Sequence, residues 1–546
     1  MIDNIHRILS KATYNQKAII FLLAVFALLL FGNNWVSLWD QDEAAYAGFA
    51  KNMVETGNYL IPKFMWSDVH RKPPLHFWDI ALAFKLFGVN EFAVRFPSVL
   101  FITLTFCVTY FFGKKIFGER ETLMGVIILS SSFLVMALAK VSVADGTLLL
   151  YTTLCAIAIL HVLLYRTKVW VFTFWLSFAL ALLTKGPPII LFTAVFVFLL
   201  FVFHPNRKNL FLLHPWFFLP LAVLPLLYWG YLCYQTPEGK TFILWMIDWY
   251  ILKRIGGSVF GQTGPPGTHL LSLFIFFIGL FAYMPLAIWQ SVKNLFKNFS
   301  STNFLLSAWF FAGWFIYEFS PSKLPAYVIA AHVPLALIIA QLMLTGKVPA
   351  RGLRIAQTVF FAILFTALIA APFILNGNTT VKIALPILGL CLLAFLTYTA
   401  KQKPLTDFTA GLSNYARRLL FINIIFQVVL WAVVLPLADQ FKNSSYRISQ
   451  FVNEHANRQS KIIIANSFSW PPSLPFYLMM HYNDVSEEYD YTKLAGMYNT
   501  NRHIAFILSQ PLKDEFEKNY PGIRITEIKP FFSDRINVQS YYILIK

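Results

Sequence analysis

The chain contains 546 residues, of which 58% are hydrophobic and 13% charged, and its mean hydropathy is +0.60. Soluble proteins carry about 25% charged residues, so this composition excludes a soluble globular protein and predicts a polytopic membrane protein. The net charge of +18 does not indicate nucleic-acid binding, because the basic residues gather in alternate loops. Four cysteines lie inside apolar runs, which argues against structural disulfides and a thiolate zinc site: Cys107, Cys155, Cys233 and Cys391.

Apolar runs of about 20 residues predict about thirteen α-helical membrane spans. Their approximate bounds are 18–38, 92–112, 122–139, 146–164, 169–184, 187–203, 215–234, 269–290, 303–319, 325–345, 355–375, 381–399 and 419–437. No A-x-A-like cleavage site follows the first run, so we expect it to remain as a span. Lys and Arg concentrate before the first span and in every second gap after it, which by the positive-inside rule predicts a cytoplasmic N-terminus. Three larger segments then lie on the outer face: 39–91, 235–269 and everything after Leu437.

The C-terminal part of the chain has a different composition from the rest. Its charge density rises, and "KIIIANS", "HIAFILS" and "QSYYILI" are typical of strands, whereas "PSLPFYLMMHY" and "LKDEFEKNY" are typical of helices. We therefore predict a transmembrane domain over 1–437 and a small α/β domain outside the membrane over 438–546.

The segment directly after the first span contains three acidic residues, Asp40, Asp42 and Glu43, in a chain that has few. Apolar side chains then recur at helical spacing up to Gly57, which predicts an amphipathic helix lying on the membrane surface. Asp42 at its start is equally consistent with a helix N-cap and with chemistry. Asp40-Gln41-Asp42 also spells D-x-D, a pattern of metal-dependent nucleotide-sugar transferases.

"HRKPPLHFW" follows in the same outer segment. Pro73 and Pro74 suit the first positions of a second surface helix, so Arg71 and Lys72 would lie beside its free amides and form a phosphate site. The alternative is that both cations reach toward lipid headgroups. His70 and His76 are most simply interpreted as interfacial aromatic residues.

Further charged residues fall on the same predicted face. Asp145 begins the fourth span, where it is either a helix N-cap or a second carboxylate beside the substrate. Lys185 and Lys323 occupy very short outer loops in which cations are rare. Arg254 lies in the longer loop, whose glycines, Gly256, Gly257, Gly261 and Gly264, predict a mobile lid.

These motifs together resemble the GT-C membrane glycosyltransferases, and in particular the protein O-mannosyltransferase-like group that includes the aminoarabinose transferase of lipid A. The resemblance rests on "DEAAYAGFAKNMVETGNYLIPKF", "RKPPLHFW", an Asp before the fourth span, "KG" and "SKLPAYVIAAHVPLAL", in that order, over residues 18–345. Two positions depart from the aminoarabinose transferases: Ala45 replaces the Arg of "DEARYA", and Arg71 replaces the acid of "EKPPL".

The resemblance implies a polyprenyl-phosphate monosaccharide as donor, inversion at the anomeric carbon, and a bacterial inner membrane with a periplasmic C-terminal domain. It implies Asp42, Glu43 and Asp145 as catalytic residues. Lys72, Arg71, Lys323 and Arg254 would bind the donor phosphate, and Lys185, Tyr46 and Tyr327 are candidate substrate contacts.

The expected reaction needs a base for the acceptor hydroxyl and cations for the departing phosphate. We therefore expect no required cofactor and no metal site, although a divalent ion remains compatible with the sequence. The expected partners are the donor, a glycolipid or protein acceptor and membrane lipid, with no nucleic acid. The main alternative is a lipid or sugar transporter, which would carry its functional charges near the middle of the bilayer.

Overall fold

A computed structural model describes residues 12–65, 67–253, 257, 263–374, 378–399, 412–439, 445–465, 471–529 and 540–546. Arg254, Gly256 and Gly261 of the predicted lid lie outside these residues. The described chain is mostly helical, with one small sheet near its C-terminus.

The helices follow the predicted apolar runs closely. In the N-terminal half they are α1 (Tyr14–Leu30), α2 (Asp42–Thr56), α3 (Leu75–Phe87), α4 (Glu91–Phe117), α5 (Glu119–Leu129), α6 (Phe133–Lys140), α7 (Ala144–Tyr165), α8 (Lys168–Thr184), α9 (Pro187–Phe203), α10 (Pro215–Tyr234) and α11 (Pro237–Ile247). They continue as α12 (Thr268–Phe276), α13 (Met284–Leu295), α14 (Thr302–Trp314), α15 (His332–Leu344), α16 (Arg351–Ile374), α17 (Thr379–Thr399), α18 (Asn414–Val429) and α19 (Leu435–Ala438). Short 3₁₀ or π segments extend or connect several of them: Ser67–His70, Arg207–Leu213, Asp248–Leu252, Ile278–Tyr283, Phe315–Phe319, Pro325–Ala331 and Leu430–Val434.

Within the described residues, seven helices are long and apolar enough to cross a membrane, or nine if each of two bent pairs forms one span. The bent pairs are α5 with α6, at 64°, and α12 with the segment Ile278–Leu295, at 111°. α1, α8 and α9 are shorter apolar helices. The polytopic α-helical fold class is thereby confirmed, whereas the number of thirteen spans stays a prediction.

Burial separates a central bundle from a lipid-facing periphery. In the most apolar 18-residue window of α7, 89% of residues are buried, against 17% in α10 and 22% in α16. Apolar side chains exposed over whole helices are stable only against lipid. α7 therefore lies at the centre of the bundle, and Asp145 in its first turn is held at the end of the most enclosed helix.

The C-terminal part folds as a sheet packed between helices. The helices are α20 (Ser445–His455), α21 (Ser473–Met479), α22 (Tyr491–Thr500) and α23 (Gln510–Asn519). The strands are β1 (Lys461–Ala465), β2 (Val485–Glu487), β3 (Ile504–Leu508), β4 (Ile525–Ile528) and β5 (Tyr541–Ile545). Their order in the described chain is β2-β1-β3-β5-β4, with β2, β1 and β3 parallel and β5 antiparallel to both of its neighbours. The predicted strands correspond to β1, β3 and β5, whereas β2 and β4 were not predicted from the sequence.

The first outer segment is more deeply buried than its sequence predicts. α2 ends at Gly57, whose φ of 72° gives the expected left-handed cap. Tyr46, Phe49 and Met53 are fully buried, together with Phe476 of α21. The apolar face of α2 packs against α3 and the C-terminal helix α21. That α2 lies at the membrane surface stays a prediction.

Candidate active site

Asp42 is the first residue of α2 and faces open space. Gln41 occupies the N-cap position, and its side chain makes no capping hydrogen bond. The Asp42 side chain is 48% exposed, whereas Glu43 and Tyr46 of the same helix are buried. The N-cap interpretation of Asp42 is therefore wrong, and its carboxylate is available to a substrate.

Lys72, in the loop that precedes α3, pairs with this carboxylate. Its Nζ lies 3.5 Å from Asp42 Oδ2 and donates a hydrogen bond to the Tyr46 hydroxyl. Burial alone would raise the pKa of Asp42, but the charges of Lys72, His70 and Lys185 outweigh it, so the pKa lies below 3.8. Only 12% of the Lys72 side chain is exposed, so this cation does not reach toward lipid headgroups.

Asp145 and Lys185 form a second buried pair beside the first. Lys185 Nζ lies 2.6 Å from Asp145 Oδ1, and the side chains are 13% and 14% exposed. The helix that contains Asp145 has Val143 at its N-cap, so Asp145 is not a cap either. Burial raises the pKa of Tyr46 well above 10.0, and the charges of Asp42, Tyr250 and Asp145 raise it further. The charges of the two predicted carboxylates, which belong to different helices, thus both act on this tyrosine.

Glu43 points away from this open space into a buried polar cluster. Its oxygens accept hydrogen bonds from Arg95 Nε at 2.8 Å and from a terminal Arg95 nitrogen at 2.9 Å. They also accept from the backbone amides of Trp39 at 2.7 Å and Ser142 at 2.8 Å. Arg95 donates further to the carbonyls of Asn33, Val36 and Ser37. These contacts favour a positioning role for Glu43 over the predicted catalytic one, since they join the chain before Asp42 to the chain before Asp145.

His76 provides another internal link. Its Nδ1 lies 3.1 Å from Thr147 Oγ1 and its Nε2 lies 3.4 Å from Ser142 Oγ, while Tyr46 packs edge-on against its ring. Burial is the main reason that its pKa is lowered to about 4, so the imidazole is neutral. The interpretation of His76 as an interfacial aromatic is wrong, because it is 1% exposed and holds α3 against the start of α7.

The remaining predicted phosphate ligands lie in other surroundings. Arg71 is 8% exposed and its guanidinium stands 5.4 Å from the Phe242 ring of α11. Lys323 Nζ donates to the Glu318 carbonyl at 2.6 Å and lies 3.9 Å from the Glu318 carboxylate. Arg254 lies outside the described residues, so its role stays a prediction.

Tyr327 links the region of Lys323 to the ion pair of Asp145 and Lys185. Lys185 Nζ stands 5.9 Å from the Tyr327 ring, which stacks on His269 at 6.0 Å. Glu318 lies beside His269 and accepts hydrogen bonds from the amides of Gly267 and Leu270, so it caps α12 at the end of the second outer segment.

Three residues that support the site were not assigned to it from the sequence: Arg95, His76 and Glu318. Arg95 and Glu318 both fall inside apolar runs that were interpreted as spans. A charge in such a run is itself a signal of a buried partner or function. His76 carries no comparable signal, because its partners are hydroxyls far away in sequence.

The part of the chain that the structure describes holds no group of three His, Cys, Asp or Glu side chains suited to a metal ion. Both oxygens of Asp40 accept hydrogen bonds from Ser473, which accounts for this carboxylate without a metal. That the reaction requires no cofactor stays a prediction.

Comparison with known structures identifies the architecture. The ArnT structure from Cupriavidus metallidurans bound to undecaprenyl phosphate superposes with a TM-score of 0.71 at 16% identity, over 96% of this chain and 97% of that one. The apo ArnT structure gives 0.72 at 15% identity, over 98% of both chains. The chain has the GT-C fold. Identity at this level establishes the fold alone.

Sequence comparisons point the same way. The family model "Dolichyl-phosphate-mannose-protein mannosyltransferase" matches residues 71–229. An uncharacterised protein of Aquifex aeolicus is 26% identical over 78% of this chain and 80% of its own length. The undecaprenyl phosphate-alpha-4-amino-4-deoxy-L-arabinose arabinosyl transferase 2 of Proteus mirabilis is 25% identical over 59% of this chain. The match spans 58% of that transferase, less than two thirds of its length.

The predicted resemblance to GT-C glycosyltransferases similar to the lipid A aminoarabinose transferase is confirmed. So is the prediction of a multi-pass membrane protein. The Proteus mirabilis relative is named as a sugar transferase, and no relative described above supports the transporter alternative.

Proposed function

We propose that this protein transfers a monosaccharide from a polyprenyl-phosphate carrier to an acceptor hydroxyl at the outer face of a bacterial inner membrane, with inversion. The observation that carries this proposal is the pairing of Asp42 with Lys72 and of Asp145 with Lys185, with the charge of Lys185 also acting on Asp42. The acceptor is a glycolipid such as lipid A or a protein.

The two ion pairs suit a phosphate leaving group. Lys72 is shared between Asp42 and the Tyr46 hydroxyl. A carrier phosphate would compete for this ammonium, because charge-assisted bonds to phosphate are strong. As Lys72 turns to the phosphate, Asp42 loses its nearest positive charge and its pKa rises, so it becomes a stronger base.

The steps then follow from these groups. Asp42 takes the proton of the acceptor hydroxyl, whose oxygen attacks the anomeric carbon as the bond to the phosphate oxygen breaks. Lys72 stabilises the negative charge that develops on the departing polyprenyl phosphate. Lys185, which pairs with Asp145, also lowers the pKa of Asp42 by its charge, and its Nζ stands 5.9 Å from the Tyr327 ring.

Mass spectrometry of envelope glycolipids and glycoproteins tests this function. We expect a deletion strain to lack one sugar modification, and the wild-type gene to restore it. An unchanged glycolipid and glycoprotein profile would contradict the proposal.

Binding of undecaprenyl phosphate to the purified protein tests the donor site separately. Lys72→Ala should weaken this binding by roughly ten- to a hundredfold, because a charge-assisted contact contributes about 1.5–3 kcal/mol. Lys63→Ala is the matched control, since Lys63 lies in the same outer segment but is 60% exposed and pairs with Glu238. Equal affinities for the two variants would remove Lys72 from the phosphate site.

A further inference from the structure

The C-terminal domain binds the backbone segment that leads into Asp42. Asp40 Oδ1 accepts a hydrogen bond from the Ser473 amide at 2.9 Å, and Asp40 Oδ2 accepts from the Ser473 hydroxyl at 2.7 Å. The Leu38 amide donates to the Tyr477 hydroxyl at 2.7 Å. Ser473 and Tyr477 both belong to α21, so one short helix holds two residues of this segment.

Apolar packing supports the same contact. Phe476 and Tyr477 of α21 are 0% and 2% exposed, and they belong to one cluster with Tyr46 and Phe49 of α2. An independent binding module joined by a linker would keep a hydrated surface toward the membrane domain. Here Phe476 and Tyr477 are buried against α2, and the buried hydrogen bond between Leu38 and Tyr477 would be costly to leave unpaired.

The segment is held from two sides. Asp40 lies two residues before Asp42, while Glu43 on the far side of Asp42 binds the Trp39 amide and Arg95. The membrane domain provides the contacts of Glu43, and the C-terminal domain provides the contacts of Ser473 with Asp40. Without the contacts from the C-terminal domain, the backbone on the N-terminal side of Asp42 would lose its fixed position.

We propose that the C-terminal domain completes the active centre: α21 positions Asp42 through Asp40 and Ser473. This inference rests on the proposed role of Asp42 as the base. Asp40, Ser473 and Tyr477 are positioning residues, since they act on the reaction through the backbone of Asp42. This positioning role also accounts for the D-x-D sequence. Its first carboxylate, Asp40, binds the C-terminal domain, and its second, Asp42, is available to the substrate.

Variants of the whole chain test this positioning role. Each variant is expressed in the deletion strain, and the amount of modified product per molecule of protein is measured. Ser473→Ala should lower product by roughly ten- to a hundredfold, because displacing a reacting group by about 1 Å costs about a hundredfold in rate. Ser473→Thr keeps the hydroxyl and should restore most of it. If Ser473→Ala does not accumulate in the membrane, Asp40→Ala tests the same contact from the other side, because it removes the bonds to both the Ser473 hydroxyl and the Ser473 amide.

Two buried tyrosines of the C-terminal domain provide a matched pair. Tyr477→Phe removes the acceptor of the Leu38 amide, whereas Tyr482→Phe removes a bond to the Val452 carbonyl inside the domain. We expect both variants to lower the melting temperature by a similar amount, because each leaves one buried backbone group without its partner. Product should fall only for Tyr477→Phe, with undecaprenyl phosphate affinity unchanged. Equal product from both variants, or wild-type product from Ser473→Ala, would overturn the inference.

The Asp42→Asn variant separates this inference from the proposed function. If Asp42→Asn abolishes product and Ser473→Ala does not, only the positioning role fails. If Asp42→Asn retains wild-type product, the proposed base itself is wrong.

Discussion

Adjacent acidic residues at the start of α2 have opposite surroundings, and this contrast is the basis of the residue-scale predictions. Asp42 is 48% exposed and paired with one lysine, whereas Glu43 is fully buried in a network with Arg95. An exposed carboxylate beside a cation can act on a substrate, but a buried one with all its bonds made holds structure together.

Replacing Asp42 by Asn should abolish most transfer without affecting folding. Asn cannot accept a proton as a carboxylate does, so the rate should fall by about 10²–10⁴-fold. The helix should tolerate the change, because Asp42 is not its N-cap residue. The measurement is product formation at saturating donor, together with the melting temperature in detergent. Near-wild-type turnover would shift the role of base to Asp145.

The neighbouring Glu43→Gln substitution should act mainly on stability. It removes the charge that faces Arg95 and leaves a buried guanidinium without its counter-ion, which costs about 3–5 kcal/mol. We expect a clear drop in melting temperature and in membrane yield, against almost none for Asp42→Asn. Equal melting temperatures for the two variants would show that the Glu43–Arg95 pair does not stabilise the fold.

Helix α3 contains Asp79, whose buried carboxyl group lowers the stability of the folded protein when it is ionised. One oxygen of Asp79 is buried without a hydrogen-bond partner among the described residues, and burial raises the pKa of Asp79 to about 7. The unfolded chain has the ordinary value near 3.8, so the folded state binds the proton more tightly. The contribution of Asp79 to stability is therefore full below about pH 3.8 and is lost as the pH rises through 7.

Asp79→Asn should accordingly stabilise the protein more at pH 8 than at pH 5. The difference between pH 5 and pH 8 is at most about 2.7 kcal/mol, because about two units of the pKa shift lie above pH 5 and each unit corresponds to about 1.36 kcal/mol. Melting temperatures in detergent at both pH values provide the measurement. Asp484→Asn is the control, because its side chain is 59% exposed and its effect should vary little with pH. A pH-independent effect of Asp79→Asn would mean that Asp79 is ionised throughout.

At the scale of elements, helices and strands follow from local signals, whereas the contacts between them do not. Apolar runs predicted the helices, Gly57 predicted the end of α2, and hydrophobic strands predicted β1, β3 and β5. The burial of α2 was missed because its cover, α21, is more than 400 residues away. The identities of Asp42, Lys72 and Asp145 came from motif order, but the pairing of Asp145 with Lys185 required the fold.

At the scale of the whole molecule, the contact between Asp40 and Ser473 constrains the topology. The two residues touch, so they lie on the same side of the membrane. The chain must therefore cross the bilayer an even number of times between them. The seven long helices of the described chain all lie between these two residues, and seven is odd. An odd number of the bent pairs and shorter helices must therefore cross as well. The sequence prediction agrees with this, because about twelve of the thirteen predicted spans lie between α2 and the C-terminal domain.

This parity predicts opposite locations for the two ends of the protein if α1 crosses the membrane. α1 is 17 residues long and strongly apolar, at the lower limit for a span. We expect a reporter fused after Lys546 through a flexible linker to be active only outside the cytoplasm, and one fused before Met1 only inside it. The positive-inside rule predicts the same orientation independently, from the basic residues that precede α1.

Both reporters active in the cytoplasm would place the C-terminal domain, and with it Asp42, on the wrong side for an outer-face reaction. Both active outside would instead mean that α1 does not cross, while the outer location of Asp42 would stand.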